Sequence, residues 1–282
     1  MKAHTTMEVG GPADWFFTPS QEKDLRILLE ELRKEKVPYY VIGNGSNVIF
    51  RDEGFDGAVI CLKDNYKGYR ILREDPVSAD IAVKAGTQNK DFSNAMTRKG
   101  LAGFEFASGI PGSVGGATVM NAGAYGGEFR QIVREVKLLT PELQIVTRSC
   151  EEMEFGYRHS LASSGDFVIL ETVLTLTKDD PVRIQARVDD LTRQRQEKQP
   201  LEYPSCGSTF KRPEGYFAGK LISDAGLKGY RHGGAQVSEK HAGFVINRDH
   251  ATAAQIRELI AYIQKTVEES QGVHLECEVK IL

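Results

Sequence analysis

Two glycine-rich segments carry the residue types that can hold a phosphate. Gly43-Asn44-Gly45-Ser46-Asn47 stands between two short apolar runs, Tyr39–Ile42 and Val48–Phe50. Glycine reaches positive φ and lets another group approach the backbone, and successive N–H groups in such a turn form an anion-binding nest. Ser46 and Asn47 add side-chain donors. A plain hairpin turn is the alternative, because Asn-Gly is also the strongest short hairpin signal. The second segment is Ser108-Gly109-Ile110-Pro111-Gly112-Ser113-Val114-Gly115-Gly116-Ala117, running into Asn121-Ala122-Gly123-Ala124-Tyr125-Gly126. It lacks the Lys-Ser/Thr ending of a P-loop, and no G-x-G-x-x-G fingerprint is present. Glycine mixed with Ser and Asn nevertheless suits a backbone lying against a diphosphate. A solvated surface loop is the alternative here, and Ile110, Val114, Val119 and Met120 weigh against it. Two such segments in one domain point to a dinucleotide.

The elements that must position these segments read as α+β. A helix with Leu25, Leu28, Leu29 and Leu32 on one face starts at Ser20, its candidate cap, and ends before Pro38. Further strands are expected at Gly57–Leu62, Ile81–Ala85, Val133–Thr140, Gln144–Thr147 and Phe167–Leu176, with a helix over 88–99 closed by Gly100. Near residue 180 the character changes. Asp180-Pro181 reads as the start of a helix, and a short helix is expected around 218–225. A strand follows at 243–247, then a helix over 253–270 with Thr252 and Gln255 as its capping box. The chain ends in an alternating strand, with Val273, Leu275, Cys277, Val279 and Ile281 on one face and His274, Glu276, Glu278 and Lys280 on the other. This gives a larger domain over 1–183 and a smaller α+β domain over 184–282.

Composition narrows the function classes. The chain has 282 residues, 40% hydrophobic and 27% charged, with 36 Lys+Arg against 39 Asp+Glu. That balance argues against a globally basic nucleic-acid binder. No apolar run approaches the ~18 residues of a spanning helix, so no membrane insertion is expected, and the start MKAHTTMEVGGPAD has no secretory h-region. Four cysteines with no C-x-x-C pair argue against a zinc site or redox dithiol and fit a reducing cytoplasm. Six scattered histidines show no metal-ligand spacing, so no metal site is expected.

The glycine-rich segments, in this order, resemble the FAD-binding module of the vanillyl-alcohol-oxidase/PCMH type. The chain is more closely similar to the UDP-N-acetylenolpyruvoylglucosamine reductase (MurB) family. The matching stretches are His4-Thr5-Thr6 with Gly10-Gly11-Pro12-Ala13-Asp14, the 43–47 turn, and 109–126. Gly156-Tyr157-Arg158, Cys206-Gly207-Ser208-Thr209-Phe210-Lys211, Glu239–Asn247 and Leu275–Val279 complete the series. A generic flavoprotein would match only the first half, so the later motifs make the likeness specific.

The resemblance implies a two-part FAD-binding domain followed by a substrate domain. It also implies a reaction in which FAD takes hydride from NADPH and gives it to the enolpyruvyl double bond of the UDP-sugar. Residues 43–47 and Gly109, Ile110, Pro111, Gly112, Ser113, Gly115, Gly116, Asn121 and Gly123 are then expected to bind FAD. Hydride addition at the β-carbon leaves carbanion character at the α-carbon, so strong donors at the carboxylate and an acid over the α-carbon are required. Arg158 matches the family's active-site arginine, Ser208 its proton-donor serine and Glu278 its C-terminal glutamate. On pattern alone these three would read as a surface cation, a turn residue and a solvated strand charge. Lys211 is a plausible helper for Ser208. Lys198 matches a lysine on the substrate diphosphate, and Tyr157, Lys211, Arg212, Lys240 and His241 are further substrate-binding candidates. The passage from Phe167 to Asp180 leaves no room for the extra loop of one branch of the family, so the chain looks like the type II branch. Family members usually carry an N-terminal arm before the His-Thr-Thr stretch. Either such an arm was truncated here or it is naturally absent. An FAD-linked alcohol oxidase of the same fold and a non-enzymatic flavin- or nucleotide-binding scaffold are the rival readings.

Overall fold

The computed structural model describes residues 1–282, and the chain divides into two compact units. One comprises 15–44 and 57–195; the other comprises 1–14, 45–56 and 196–282. The sequence reading drew a single boundary at 183/184, and the structure moves it. The helix Pro181–Lys198 cannot be separated from the first unit at 183, because Arg187 pairs with Glu105 and Asp179 of that unit. Short segments near the N-terminus also belong with the C-terminal residues.

The unit of residues 15–44 and 57–195 is built on an antiparallel sheet. Its strands run in the order Ile145–Ser149, Val133–Leu139, Val168–Lys178, Ser78–Lys84, Tyr69–Glu74, and Leu101–Ala102 pairs with the end of the central strand. Val168–Lys178 is buried over almost its whole length, as a central strand covered on both faces must be. Tyr39–Ile42 runs parallel to Phe55–Cys61 in a separate three-stranded sheet with Ala13–Phe17. The helix Glu22–Lys34 buries Leu25, Leu29 and Leu32 in the same core as Ile60, Ile81 and Phe92. Phe104 packs edge-on against Phe92 at 4.8 Å and Phe129 at 5.7 Å, aromatic pairs that add about 0.5–1.5 kcal/mol each beyond their buried area. These rings lie just before and just after the glycine-rich segment and so fix both of its ends.

Several expectations shift. The first helix begins after Gln21, with no side-chain cap, so Ser20 does not cap it. Tyr69–Glu74 is a strand that the sequence reading missed; it lies at the sheet edge and is largely exposed, so it carries no clean apolar alternation. A short helix, Val114–Val119, forms inside the glycine-rich segment despite its poor propensity. Ser113 caps it, and Thr118 Oγ1 bonds Thr172 Oγ1 at 2.8 Å on the central strand. Tertiary contacts therefore stabilise what local propensity disfavours.

In the other unit the helix Ala253–Gln271 buries Ile256, Leu259, Ile260, Ile263 and Val267. Its core also takes in Met7, Val9, Ile49, Leu275 and Val279. Thr252 and Gln255 form the expected capping box. A second cap was not foreseen: Asp52 Oδ1 and Oδ2 accept from the N–H groups of Ala253 and Ala254, both at 2.8 Å. The carboxylate satisfies two orphan donors and faces the positive end of the helix dipole. Asp52→Ala is expected to destabilise this unit by about 1–2 kcal/mol, read as a lower thermal midpoint.

The expected last strand is reduced to Lys280–Ile281, parallel to Val48–Ile49. Residues 273–279 run extended without a continuous ladder, bridging only at Phe210–Cys277. The alternation of burial persists through Val279 and breaks at Ile281, which is exposed. No helix is long and apolar enough to cross a membrane.

Candidate active site

In the unit of 15–44 and 57–195, a Cβ added at Gly43 would lie 2.0 Å from Ser113 Oγ, so only glycine lets the two glycine-rich segments meet. Gly115 presses on the strand end in the same way, and a Cβ there would lie 2.6 Å from Ala85 Cβ. The N–H groups of Val114 and Gly115 donate to Thr87 O and Ala85 O at 2.8 Å, and Asn89 N donates to Gly112 O at 3.0 Å. The loop is thereby pinned from below, while the N–H groups of Gly109, Gly112 and Ser113 donate to no protein acceptor. Two buried side-chain atoms beside this loop, Gln88 Nε2 and Asn89 Oδ1, also lack a partner, although Asn89 Nδ2 bonds Ile110 O at 3.3 Å.

Buried polar atoms are normally satisfied. A concentration of free backbone donors and orphaned amide atoms on one pinned glycine loop is what a polar, anionic ligand would complete. The residues present therefore fit a bound FAD. Its diphosphate would lie against the Gly109–Ser113 backbone, and Gln88 and Asn89 would offer a donor and an acceptor.

Asn121, in the same segment, is tied into the protein. Its Nδ2 donates to Glu128 Oε2 at 3.0 Å and to Gly156 O at 2.9 Å, and its Oδ1 accepts from Arg130 N at 2.9 Å. Protein partners take up the side chain, which ties the end of the glycine-rich segment to the Gly156-Tyr157-Arg158 turn. Ser160 Oγ adds a 2.7 Å bond to Val119 O. The turn itself is tight: Gly156 bridges His159, and Arg158 sits at φ 54°. Such backbone strain in a non-glycine residue persists only where the surroundings enforce it, and it concentrates at functional sites. The Arg158 guanidinium carbon lies 5.1 Å from the centre of the exposed Tyr157 ring. The turn thus presents a cation on an aromatic platform.

In the other unit the 43–47 turn continues with Gly45, where a Cβ would lie 2.1 Å from His4 O. Thr6 N donates to Gly45 O at 3.1 Å, so the His4-Thr5-Thr6 stretch is the seat of this turn. Asn47 Nδ2 donates to Glu278 O at 3.1 Å. Its side chain is therefore engaged by the C-terminal segment.

Ser208 and Glu278 stand on two extended segments joined by backbone bonds. Glu278 N donates to Thr209 O at 2.8 Å and Lys211 N to Glu276 O at 2.9 Å. Gly207, at φ 74°, makes the turn that leaves Ser208 exposed. Thr209 is buried, and its Oγ1 accepts from Val245 N at 3.0 Å. Lys211, the suggested helper of Ser208, is engaged by another residue. Its ammonium is ion-paired with Glu276, because cross-strand register sets those two residues opposite one another. The same pairing separates the two glutamates: Glu276 is an exposed partner of Lys211, while Glu278 is half-buried.

The remaining candidates divide. Arg212 lies 4.0 Å over the Phe217 ring and donates from Nε to Tyr216 O at 3.3 Å. Lys240 caps the end of the 181–198 helix through Gln196 O. His241 accepts at Nδ1 from Gly243 N at 3.1 Å, and burial pulls its pKa below the usual value, which keeps the ring neutral near pH 7. Lys198 is exposed at the helix end.

The comparisons with known proteins bear on both units. A family model described as the C-terminal domain of UDP-N-acetylenolpyruvoylglucosamine reductase matches residues 199–282. A model described as an FAD binding domain matches residues 13–148. The chain is 46% identical over 282 residues to the UDP-N-acetylenolpyruvoylglucosamine reductase of Clostridium perfringens, covering 100% of this chain and 91% of that protein. It is 49% identical, with the same coverage, to the reductase of Geobacillus thermodenitrificans. The crystal structure of the Thermus caldophilus reductase superimposes with a TM-score of 0.83 at 34% identity, covering 99% of this chain and 96% of that one. Kinship at this level, spread over the whole chain, establishes that the protein belongs to the UDP-N-acetylenolpyruvoylglucosamine reductase family.

Proposed function

We propose that the protein reduces UDP-N-acetylenolpyruvoylglucosamine to UDP-N-acetylmuramate, a step of peptidoglycan precursor synthesis. Its cofactor is FAD and its hydride donor NADPH. The observation that carries this reading is full-length kinship with named reductases; an oxidase or scaffold sharing only the flavin fold would have no reason to match the C-terminal family model as well. FAD, when bound, supplies the hydride that adds to the enolpyruvyl double bond.

This chain's residues manage the charge and the proton. Arg158 offers a fixed fork of donors to the substrate carboxylate, into which the negative charge of the carbanion delocalises. Ser208 holds the proton that the α-carbon receives, and Glu278 is the acidic group of the site. Lys198, Lys240 and Arg212 supply positive charge for a nucleotide diphosphate. Tyr157 and His241 complete the set of candidate contacts. Lys211, already neutralised by Glu276, is the weakest of them. We place the reaction in the cytoplasm, in keeping with four unpaired cysteines and a nucleotide-sugar substrate.

The test is a product assay with purified protein, FAD, NADPH and the enolpyruvyl UDP-sugar. NADPH loss equal to the UDP-N-acetylmuramate formed supports the proposal. Oxygen consumption without enolpyruvate turnover would support the oxidase instead. Arg158→Ala is expected to retain FAD and to lose about 10²–10³-fold in turnover, the range for removing one charge-stabilising donor. Unchanged turnover would remove Arg158 from the site.

A further inference from the structure

The unit of 15–44 and 57–195 buries four charged side chains, and three of them are neutralised. Asp80 pairs with Arg134 and accepts from Thr175 Oγ1 at 2.7 Å; Glu105 pairs with Arg187; Glu171 pairs with Arg70. The fourth is Arg195. It is 9% exposed and no carboxylate pairs with it; the Tyr125 hydroxyl lies beside it.

Burying a charge without a counter-charge is costly, and such groups are normally paired or bound to a ligand. The carbonyls at the C-terminal end of the 181–198 helix favour a cation in the last turn. That does not explain where the fork points. A Cβ placed on Gly109 would lie 3.1 Å from Arg195 Cδ, 3.2 Å from Nε and 3.2 Å from Nη1. The guanidinium therefore lies along the bare backbone at the start of the glycine loop, whose Gly109, Gly112 and Ser113 N–H groups are themselves without protein acceptors. Tyr125, whose hydroxyl lies beside Arg195, sits at φ 53° in the tight turn joining Gly123–Ala124 to Gly127–Glu128. A buried cation, a hydroxyl and three free amides thus converge on one loop.

We propose that Arg195 binds an anionic group of the flavin nucleotide at the Gly109 loop. This rests on the reading of that loop as the flavin cradle. Two parts of the nucleotide have the required chemistry: the diphosphate, and the ring system, which gains negative charge on two-electron reduction. Arg195 stands in the charged run Arg193–Lys198, and nothing in the residue pattern sets it apart from its neighbours.

The test uses Arg195→Gln, Arg195→Lys and Tyr125→Phe in the full chain. Affinity for oxidised FAD and the midpoint potential of bound flavin are the readouts, with the apo thermal midpoint as a control. If the diphosphate is the partner, Arg195→Gln weakens FAD binding tenfold or more, Lys restores much of it, and the potential stays put. If the ring is the partner, affinity for oxidised FAD holds while the reduced form binds about tenfold less tightly, moving the potential negative by about 30 mV. Tyr125→Phe is expected to shift the same readout in the same direction by a smaller factor. An Arg195→Gln protein with unchanged FAD affinity and unchanged potential overturns the proposal. A lower apo midpoint with no change in either flavin readout assigns Arg195 a structural role and overturns it as well. Wild-type protein that binds no FAD defeats the cradle reading itself, an outcome distinct from both.

Discussion

Replacing Ser208 by alanine is expected to leave reduction of the bound FAD by NADPH within about threefold of wild type and to slow reoxidation by the enolpyruvate substrate by about 10²–10⁴-fold, the span of positioned general-acid catalysis. The two half-reactions differ in what they need from the protein. Hydride transfer from NADPH needs no acid, whereas completing the enolpyruvate reduction needs a proton at the α-carbon. Ser208 stands exposed immediately after the Gly207 turn, and its hydroxyl is not tied to a protein partner. Thr209 beside it is locked into the core by its bond from Val245, so removing the Ser208 hydroxyl should not disturb the backbone. A free serine is a weak acid, so the role requires stabilisation of its alkoxide. With Lys211 bound to Glu276, Lys211→Ala should have much the smaller effect on reoxidation. Equal losses in both half-reactions of Ser208→Ala would show that Ser208 is not the proton donor.

The second large effect concerns two adjacent glycines. Gly115→Ala places a methyl 2.6 Å from Ala85 Cβ, 2.9 Å from Ala85 O and 3.0 Å from Ala85 Cα. Neither a β-carbon nor a backbone oxygen can swing aside, so the loop must lift from the strand end. Overpacking of this kind costs about 1–3 kcal/mol, and lifting the loop also displaces the free amides of Gly109, Gly112 and Ser113. A lower thermal midpoint and a tenfold or greater loss of FAD affinity are expected, on the scale of 1.4 kcal/mol per tenfold. Gly116→Ala is the control: its added methyl would meet only Ser113 Oγ at 3.7 Å, and stability should hold. Equal behaviour of the two variants, measured by thermal melting and FAD titration, would mean that the close approach at Ala85 does not set the loop.

Much of this architecture was legible in residue pattern. The 253–271 helix announced itself through apolar spacing and the Thr252–Gln255 box, and both are present. Gly100, at φ 67°, closes the 89–98 helix as a C′ glycine should. Legibility failed where long-range contacts decide. The Val114–Val119 helix depends on Thr172, distant in sequence. The units interleave distant segments, which no composition shift reveals. Asp52 caps a helix 201 residues away, beyond any local window.

For the site, glycine content located the loop but not the reason for each glycine. Gly43 and Gly115 are required by close approach, whereas Gly116 has room for a side chain. Asn121 drew notice beside the glycines as a possible ligand contact, and its partners make it the tie that holds the Arg158 turn. Arg158, Ser208 and Glu278 were visible only through family likeness, because a lone Arg, Ser or Glu has no periodic signature. Arg195 left no sequence signal at all. Its distinction lies in burial without a counter-charge, which only three-dimensional placement reveals.

The central claim is that one protein-bound flavin passes hydride from NADPH to the enolpyruvyl UDP-sugar. The most direct measurement is the visible absorption spectrum of the FAD-loaded protein under anaerobic conditions, with NADPH added first and the UDP-sugar second. The account predicts a flavin band that bleaches with NADPH and returns on addition of the UDP-sugar, with UDP-N-acetylmuramate formed in equal amount. A flavin band that NADPH cannot bleach, or a bleached band that the UDP-sugar cannot restore, would contradict it.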